Sequence, residues 1–374
     1  MASQCNRQGN PLYFPSKQPS HRDEVKRLHL TAEQQVAALQ QRYLGAVYDR
    51  LHHVVPQDAD GTYPMLRYHL GWEEADGTPS STSGGKALRP VLCLMACEMA
   101  GGDWHQALPA AAALELVHNF SLLHDDIQDR DITRRGRATA WTIWGIPQAV
   151  VAGNAMRVAA DRSLTQLADS GLSAPTTIAA SRMLTQRYME MIEGQYLDMS
   201  FEESGEVTTA QYLDMIGRKT GALIQSAMYM GALIATGDTR SAEAIGQCGR
   251  GLGLAFQVWD DYLGIWGDPA VFGKPVGSDI ARKKKSLPVV HVFQQIRGAD
   301  RQRLLQIYSA PEIQGADVET VMAMMAEAGT DRYVREIALT QSQQALEPLS
   351  GLGISDDIRR QVTAMAEFFV TREK

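Results

Sequence analysis

Apolar residues recur at three- and four-residue steps along most of this chain. Leu88, Val91, Leu92, Met95 and Met99 form one such stripe, and Leu114, Val117, His118, Ser121 and Leu122 continue another. Further long segments of the same kind run roughly over residues 147–167, 176–199, 209–235 and 241–266, with shorter ones to the C-terminus. Alternating apolar and polar runs, the mark of half-buried strands, are nearly absent, and Ala, Leu, Met and Gln are plentiful. The pattern predicts an all-α fold, a helical bundle. Thr31 followed by Gln34 fits a capping box and starts a helix expected to reach about Arg50. Residues 1–30 are polar and broken by Pro11, Pro15 and Pro19, which predicts a flexible tail ahead of one helical domain over 31–374. Residues 73–85, EEADGTPSSTSGG, read as a flexible surface connection.

Composition narrows the function classes. Lys and Arg total 36 against 43 Asp and Glu, a formal charge of −7. Such a chain is a poor non-specific nucleic-acid binder. Any anionic ligand must be held by local positive charge or by metal. Cys93 and Cys97 lie one helical turn apart with no further ligand residues near, and read as small buried thiols. The longest apolar stretch, 221–235, contains Gln225 and two glycines and is too short to span a bilayer. The N-terminus lacks the layout of a signal peptide, so a cytoplasmic location is expected.

Two acidic clusters carry the chemistry. Residues 125–131 read DDIQDRD and continue an apolar helix face without a turn signal. Asp125 and Asp129 are a like-charged pair one turn apart, which costs a few tenths of a kcal/mol on an exposed helix unless a cation lies between them. Asp260 and Asp261 close the apolar run 252–259, and Asp268 follows. Hard divalent cations such as magnesium prefer carboxylate oxygens and are often shared with substrate phosphates. Basic residues lie near turns beside these clusters: Lys86 and Arg89 in GKALRP, Arg134 and Arg135, Lys219 with Thr220, and Lys274 in GKPVGSD. The run Arg282 to Lys285 either reaches the bound anion or lies in water.

These motifs, in this order, resemble the trans-prenyl diphosphate synthases. The resemblance covers about 84–288: GGKALRP, ELVHNFSLLHDDIQD, RRG at 134–136, GQYLD at 194–198, KT at 219–220, FQVWDD at 256–261 and GKPVGSDI at 273–280. It implies the class I isoprenoid synthase bundle with a central cavity, several magnesium ions (three in the family) and a homodimer. Asp125, Asp126 and Asp129 would form the first metal-binding motif and Asp260 and Asp261 the second. Arg134, Lys219, Thr220, Gln257 and Lys274 would contact the allylic diphosphate and its metals, supported by Gln195 and Asp198. Lys86, Arg89, His118 and Arg135 would bind isopentenyl diphosphate. Phe120, five residues before Asp125, would stop the growing chain. A product of about fifteen to twenty carbons is expected, with geranylgeranyl diphosphate slightly favoured.

The sequence departs from the family at three places. Gly264 stands where a third aspartate is usual, with Asp268 the expected substitute; Asn154 replaces an aspartate and Ala138 a proline. A terpene cyclase, or a non-catalytic subunit of a heteromeric synthase, is the alternative reading. The complete set of basic residues for a second diphosphate favours condensation.

Overall fold

The computed structural model describes residues 30–80, 85, 87–203, 206–272 and 275–373. The main helices are α1 (Ala32–Val54), α2 (Leu88–Met99), α3 (Leu108–Gln128), α4 (Ile146–Thr165), α5 (Ala174–Glu203), α6 (Thr209–Ile216) and α7 (Ala222–Thr236). They continue with α8 (Thr239–Trp266), α9 (Leu287–Gln295), α10 (Gly298–Ser309), α11 (Gly315–Glu327), α12 (Thr330–Gln344) and α13 (Asp356–Phe369). The expected bundle is present. Thr31 accepts a hydrogen bond from the Gln34 amide, and the Gln34 side chain accepts one from the Thr31 amide in return. The helix they start runs four residues past the expected Arg50.

α7 is the axis of the fold. Every residue from Ala222 to Ile234 is buried, as a helix that is apolar all round must be. α2, α5 and α8 pack around it. Contact with α2 is very close: a Cβ at Gly231 would lie 2.1 Å from the Cys93 carbonyl oxygen. α3 opens with an alanine-rich turn, Ala110 to Ala113, fully buried, which lets α4 lie tightly against it. Both expected thiols, Cys93 and Cys97, are buried in this core. A second apolar cluster joins α6, α8, α9 and α12, and a third lies beneath α10 and α11.

Two places differ from the sequence reading. The only paired strands among the described residues are Thr133–Arg134 and Arg137–Ala138, joined by Arg135 and Gly136. Both joining residues have positive φ, 52° and 76°, the backbone a tight two-residue hairpin requires. Second, residues 73–80 of the expected flexible connection are tied down. Glu73 bridges to Pro79, and Arg67 and Arg137 bind Glu73 at 2.8 Å and 2.6 Å. Composition signalled a turn there but could not show that arginines from elsewhere fasten it.

Candidate active site

A cavity of about 1080 Å³ opens between the C-terminal half of α3, helices α5 and α8, and the turn ahead of α7. It gathers residues far apart in sequence: Arg89 from α2, His118, Phe120 and Asp125 from α3, Arg135 from the hairpin, and Gln195 from α5. Lys219 and Thr220, and Gln257 and Asp260 of α8, complete it. Lys219 and Thr220 lie on one π turn, Gly217–Gly221, that separates α6 from α7. The wider turn pushes their side chains out of the helical register, a device common at functional sites. It fits against α5 because residue 194 is glycine; a Cβ there would lie 2.3 Å from the Lys219 nitrogen.

The first acidic cluster divides by helical position. Asp125 borders the cavity, and burial pushes its carboxyl up to about 6, with Asp129 and Asp126 adding repulsion and Lys219 opposing. Asp126 points to the other side. It is 1% exposed, takes a hydrogen bond from Arg134 Nε at 2.6 Å, and is pushed up to about 6 by burial. Its second oxygen is buried without a partner. Asp129 is exposed at the helix end. Lys219 forms an ion pair with Asp198. Burial opposes its charge, but Asp198 and Asp125 outweigh that and raise its pKa, so it is a cation at neutral pH.

The second cluster is split in the same way. Successive helix residues point about 100° apart. Asp260 faces the cavity and carries a bond from Arg372 of the C-terminal turn. Asp261 faces inward and is fully buried. It accepts from the Tyr212 hydroxyl, from the Leu287 amide at 3.1 Å and from Gln257 Nε2 at 3.2 Å, with Lys284 Nζ at 3.7 Å. Gln257 in turn accepts from the Thr220 hydroxyl at 2.8 Å. Asp261 therefore anchors a network behind the wall and does not itself border the cavity. Asp268 lies just past the end of α8, where it is exposed, accepts from the Ala270 amide and is not among the residues lining the cavity. The space beside Gly264 is filled instead by Asp279, whose carboxylate oxygen lies 2.5 Å from where a Cβ would stand.

The cavity is also lined by basic residues. Arg89 is held down to about 10 by burial, with Glu115 opposing, and stays charged. Arg135 sits at the hairpin tip with its guanidinium over Gly85. A Cβ at residue 85 would lie 2.7 Å from that group, and the φ there is 112°, so only glycine suits the site. His118 is kept neutral by burial and by Arg89 and Arg135. Lys86 and Lys274 lie outside the described residues.

Sequence reasoning missed several neighbours. Glu115 is buried below Arg89, takes a bond from Asn119 at 2.9 Å, and leaves its other oxygen unpartnered. His69 shares a small adjoining cavity with Asp126, Arg134 and Arg135, and burial and those arginines hold it down to about 3. The basic run is tied to protein and not loose in water: Arg282 pairs with Asp131, and Lys284 lies between Asp261 and Asp279. Only the placement of Glu115 on the cavity face of α3, three residues before His118, could have signalled any of these.

Among the described residues no three His, Cys, Asp or Glu side chains converge as a ready-made metal cage. The donors nonetheless suit a hard divalent cation. They are all carboxylates, burial raises the pKa of Asp125 and Asp126, and Asp126 keeps one buried oxygen unused. Single carboxylates facing a common space fit ions that take their remaining ligands from a bound phosphate group.

The polyprenyl synthetase family model matches residues 78–325. A geranylgeranyl diphosphate synthase of Mycobacterium tuberculosis is 39% identical over 324 residues, covering 86% of this chain and 90% of that protein. A (2E,6E)-farnesyl diphosphate synthase of Mycobacterium bovis is 36% identical over 88% of this chain and 92% of its own length. Among solved structures, a polyprenyl synthetase from Streptomyces coelicolor A3(2) superposes with a TM-score of 0.83 at 37% identity, covering 89% of this chain and 99% of that one. A geranylgeranyl pyrophosphate synthetase from Pyrococcus horikoshii gives 0.81 at 33% identity, covering 91% and 99%.

Proposed function

Because the chain belongs to the polyprenyl synthetase family, we propose that this cavity joins an allylic prenyl diphosphate to isopentenyl diphosphate. The chain is a short-chain prenyltransferase, as relatives named geranylgeranyl, farnesyl and geranylfarnesyl diphosphate synthase support. One observation carries the two-substrate reading. The same apolar-lined cavity is bordered by two carboxylates, Asp125 and Asp260, and by a second set of polar groups, Arg89, Arg135 and neutral His118. A cyclase that ionises one diphosphate has no use for the second set.

Asp125 and Asp260 would hold magnesium from opposite walls, with Asp126 and Asp129 at the first cluster's margin; three ions is the number the family leads us to propose. Bound magnesium supplies Lewis-acid charge to the diphosphate that departs. Lys219, held by Asp198, adds a fixed positive charge, and the Thr220 hydroxyl is oriented by Gln257. By the family resemblance Arg134, beside Asp126, and Lys274, outside the described residues, would also contact the allylic diphosphate and its metals. Arg89, Arg135 and Lys86 would grip the diphosphate of isopentenyl diphosphate, and neutral His118 would serve it as a hydrogen-bond partner and not as a charge. Phe120, Leu122, Met191 and Phe256 line the space between and exclude water from the allylic cation. The attacking double bond is held by its own diphosphate, which makes the step effectively intramolecular. No side chain is assigned the final proton; the released diphosphate is the base at hand.

Phe120 lies deeper in the cavity than Asp125 and supports a product of about fifteen to twenty carbons, geranylgeranyl diphosphate slightly favoured. A homodimer is supported by an exposed apolar face: Ile146, Val150, Val151 and Val158 of α4 beside Ile178 and Met189 of α5. No helix among the described residues is long and apolar enough to cross a membrane. The test is incubation of the purified protein with magnesium, isopentenyl diphosphate and each allylic diphosphate in turn, with products identified by mass. Elongated diphosphates that require isopentenyl diphosphate are expected. A terpene hydrocarbon or alcohol from geranylgeranyl diphosphate alone would overturn the reading.

A further inference from the structure

Asp260 is the cavity-facing carboxylate of the second cluster, yet it is already engaged. Its partner is Arg372, two residues before the C-terminus. The Arg372 side chain is only 3% exposed, whereas that of Asp260 is 37% exposed. The guanidinium also donates to the carbonyls of Phe256, at 3.1 Å, and Phe369, and lies 3.9 Å over the Phe256 ring. The Trp259 indole donates to the Arg372 carbonyl at 2.8 Å, and the Arg372 amide closes the turn onto Phe368 at 3.0 Å. Thus Arg372 ties this turn to α8 twice over, through its buried guanidinium at Phe256 and Asp260 and through its backbone carbonyl at Trp259.

A carboxylate held by a guanidinium fork has committed an oxygen that a divalent ion needs, and two cations at one carboxylate repel each other. We propose that Arg372 is the resident counter-cation of Asp260 in the metal-free protein, and that loading a divalent ion at Asp260 releases Arg372 together with the terminal turn from Phe368. The inference rests on the reading that Asp260 holds a metal ion. Arg372 is a positioning residue. It keeps the Asp260 carboxylate ordered and neutralised before substrate arrives, and gives it up when metal and diphosphate come together. Phe368 and Arg372 both border the cavity, so their release alters its wall at the moment of loading. Linkage makes the coupling reciprocal: whatever metal does to Arg372, removal of Arg372 must do to metal affinity.

The experiment uses the full chain and inorganic diphosphate as probe. Magnesium is titrated in while Trp259 emission is followed as the difference between the wild-type protein and its Trp259→Phe variant. Calorimetry gives magnesium affinity for wild type, Arg372→Met, Arg372→Lys and Asp260→Asn. A change in Trp259 emission that saturates with the metal is expected in wild type. It should be absent in Arg372→Met, whose magnesium affinity should rise by about fivefold or more. Arg372→Lys, which keeps the charge but not the fork, should fall between. If Arg372→Met fails to fold by circular dichroism, the wild-type emission change and Arg372→Lys still decide. A silent Trp259, or unchanged affinity in the Arg372 variants while Asp260→Asn weakens metal binding, overturns the displacement and leaves the site reading standing. Unaltered metal binding in Asp260→Asn overturns both.

Discussion

Replacing Phe120 by alanine tests the cavity as a ruler. Phe120 and Asp125 are five residues apart on α3, about 7.5 Å along the axis at 1.5 Å per residue. The ring is 8% exposed and meets His124 edge-on, with centroids 5.0 Å apart. Truncation frees on the order of 100 Å³, about a tenth of the 1080 Å³ cavity. A Phe→Ala change in a closed core costs roughly 3–5 kcal/mol. Here the new space merges with an existing cavity, so the cost falls at or below about 3 kcal/mol, including about 1 kcal/mol for the lost aromatic contact. A melting temperature several degrees lower is the expected price. The first condensation, whose short chain does not reach the ring, should keep its rate within about threefold, since that change is below 1 kcal/mol of barrier. The assay is separation and mass analysis of dephosphorylated products from isopentenyl diphosphate with each allylic starter, beside a thermal melt. Products longer by one or more isoprene units are expected. A folded, active variant with an unchanged product distribution would refute the role of Phe120 as the stop.

Three further outcomes follow from named contacts. Asp125→Asn should lower turnover by about 10² or more, as loss of a charge-stabilising group does. At pH 7.5 without metal it should raise stability by about 1–3 kcal/mol, because a carboxyl pushed up to about 6 by burial is penalised when ionised; a chemical denaturation series with and without magnesium measures both signs. Gly231→Ala drives a methyl to 2.1 Å from the Cys93 carbonyl oxygen, so α2 and α7 must separate; a loss of about 1–3 kcal/mol or more should appear by thermal melt, with impaired isopentenyl diphosphate binding because α2 carries Arg89. His69, held down to about 3, binds fewer protons folded than unfolded between pH 3 and its ordinary 6.5. Its contribution is therefore complete above 6.5 and is lost as pH falls toward 3, by about 2–4 kcal/mol for this partly buried ring. Relative to His69→Phe, the wild-type protein should lose stability between pH 6.5 and 4.5; parallel pH profiles would exclude the effect.

How far the site could be read along the chain depends on the residue. Asp125 and His118 lie two turns apart on α3, and helical spacing alone puts them near one face; Phe120 is about 140° round the helix from Asp125, and only the fold shows that it borders the same cavity. Lys219 and Thr220 fall inside the apolar-periodic segment 209–235, and a π turn interrupts the helix at them. Asp260 and Asp261 looked equivalent, but one borders the cavity and the other anchors Tyr212 and Leu287 within the bundle. Asp268, the expected substitute for a third aspartate, lies past the end of α8 and outside the cavity lining. Asp279, fifteen residues along the chain, fills the space at Gly264.

What the sequence determined by itself was the repeat of apolar positions, hence the helices, and the chemistry of the residues that end them. Both are local: one turn of backbone sets the period, and a capping box or an aspartate pair needs only its near neighbours. What only the tertiary structure decided was which charge meets which. Arg372 reaches Asp260 across 112 residues, Arg282 reaches Asp131 across 151, and Arg135 lies on Gly85. Those pairings follow from which helices pack side by side, and that is set by the shape and burial of whole faces, a quantity no short stretch of chain contains.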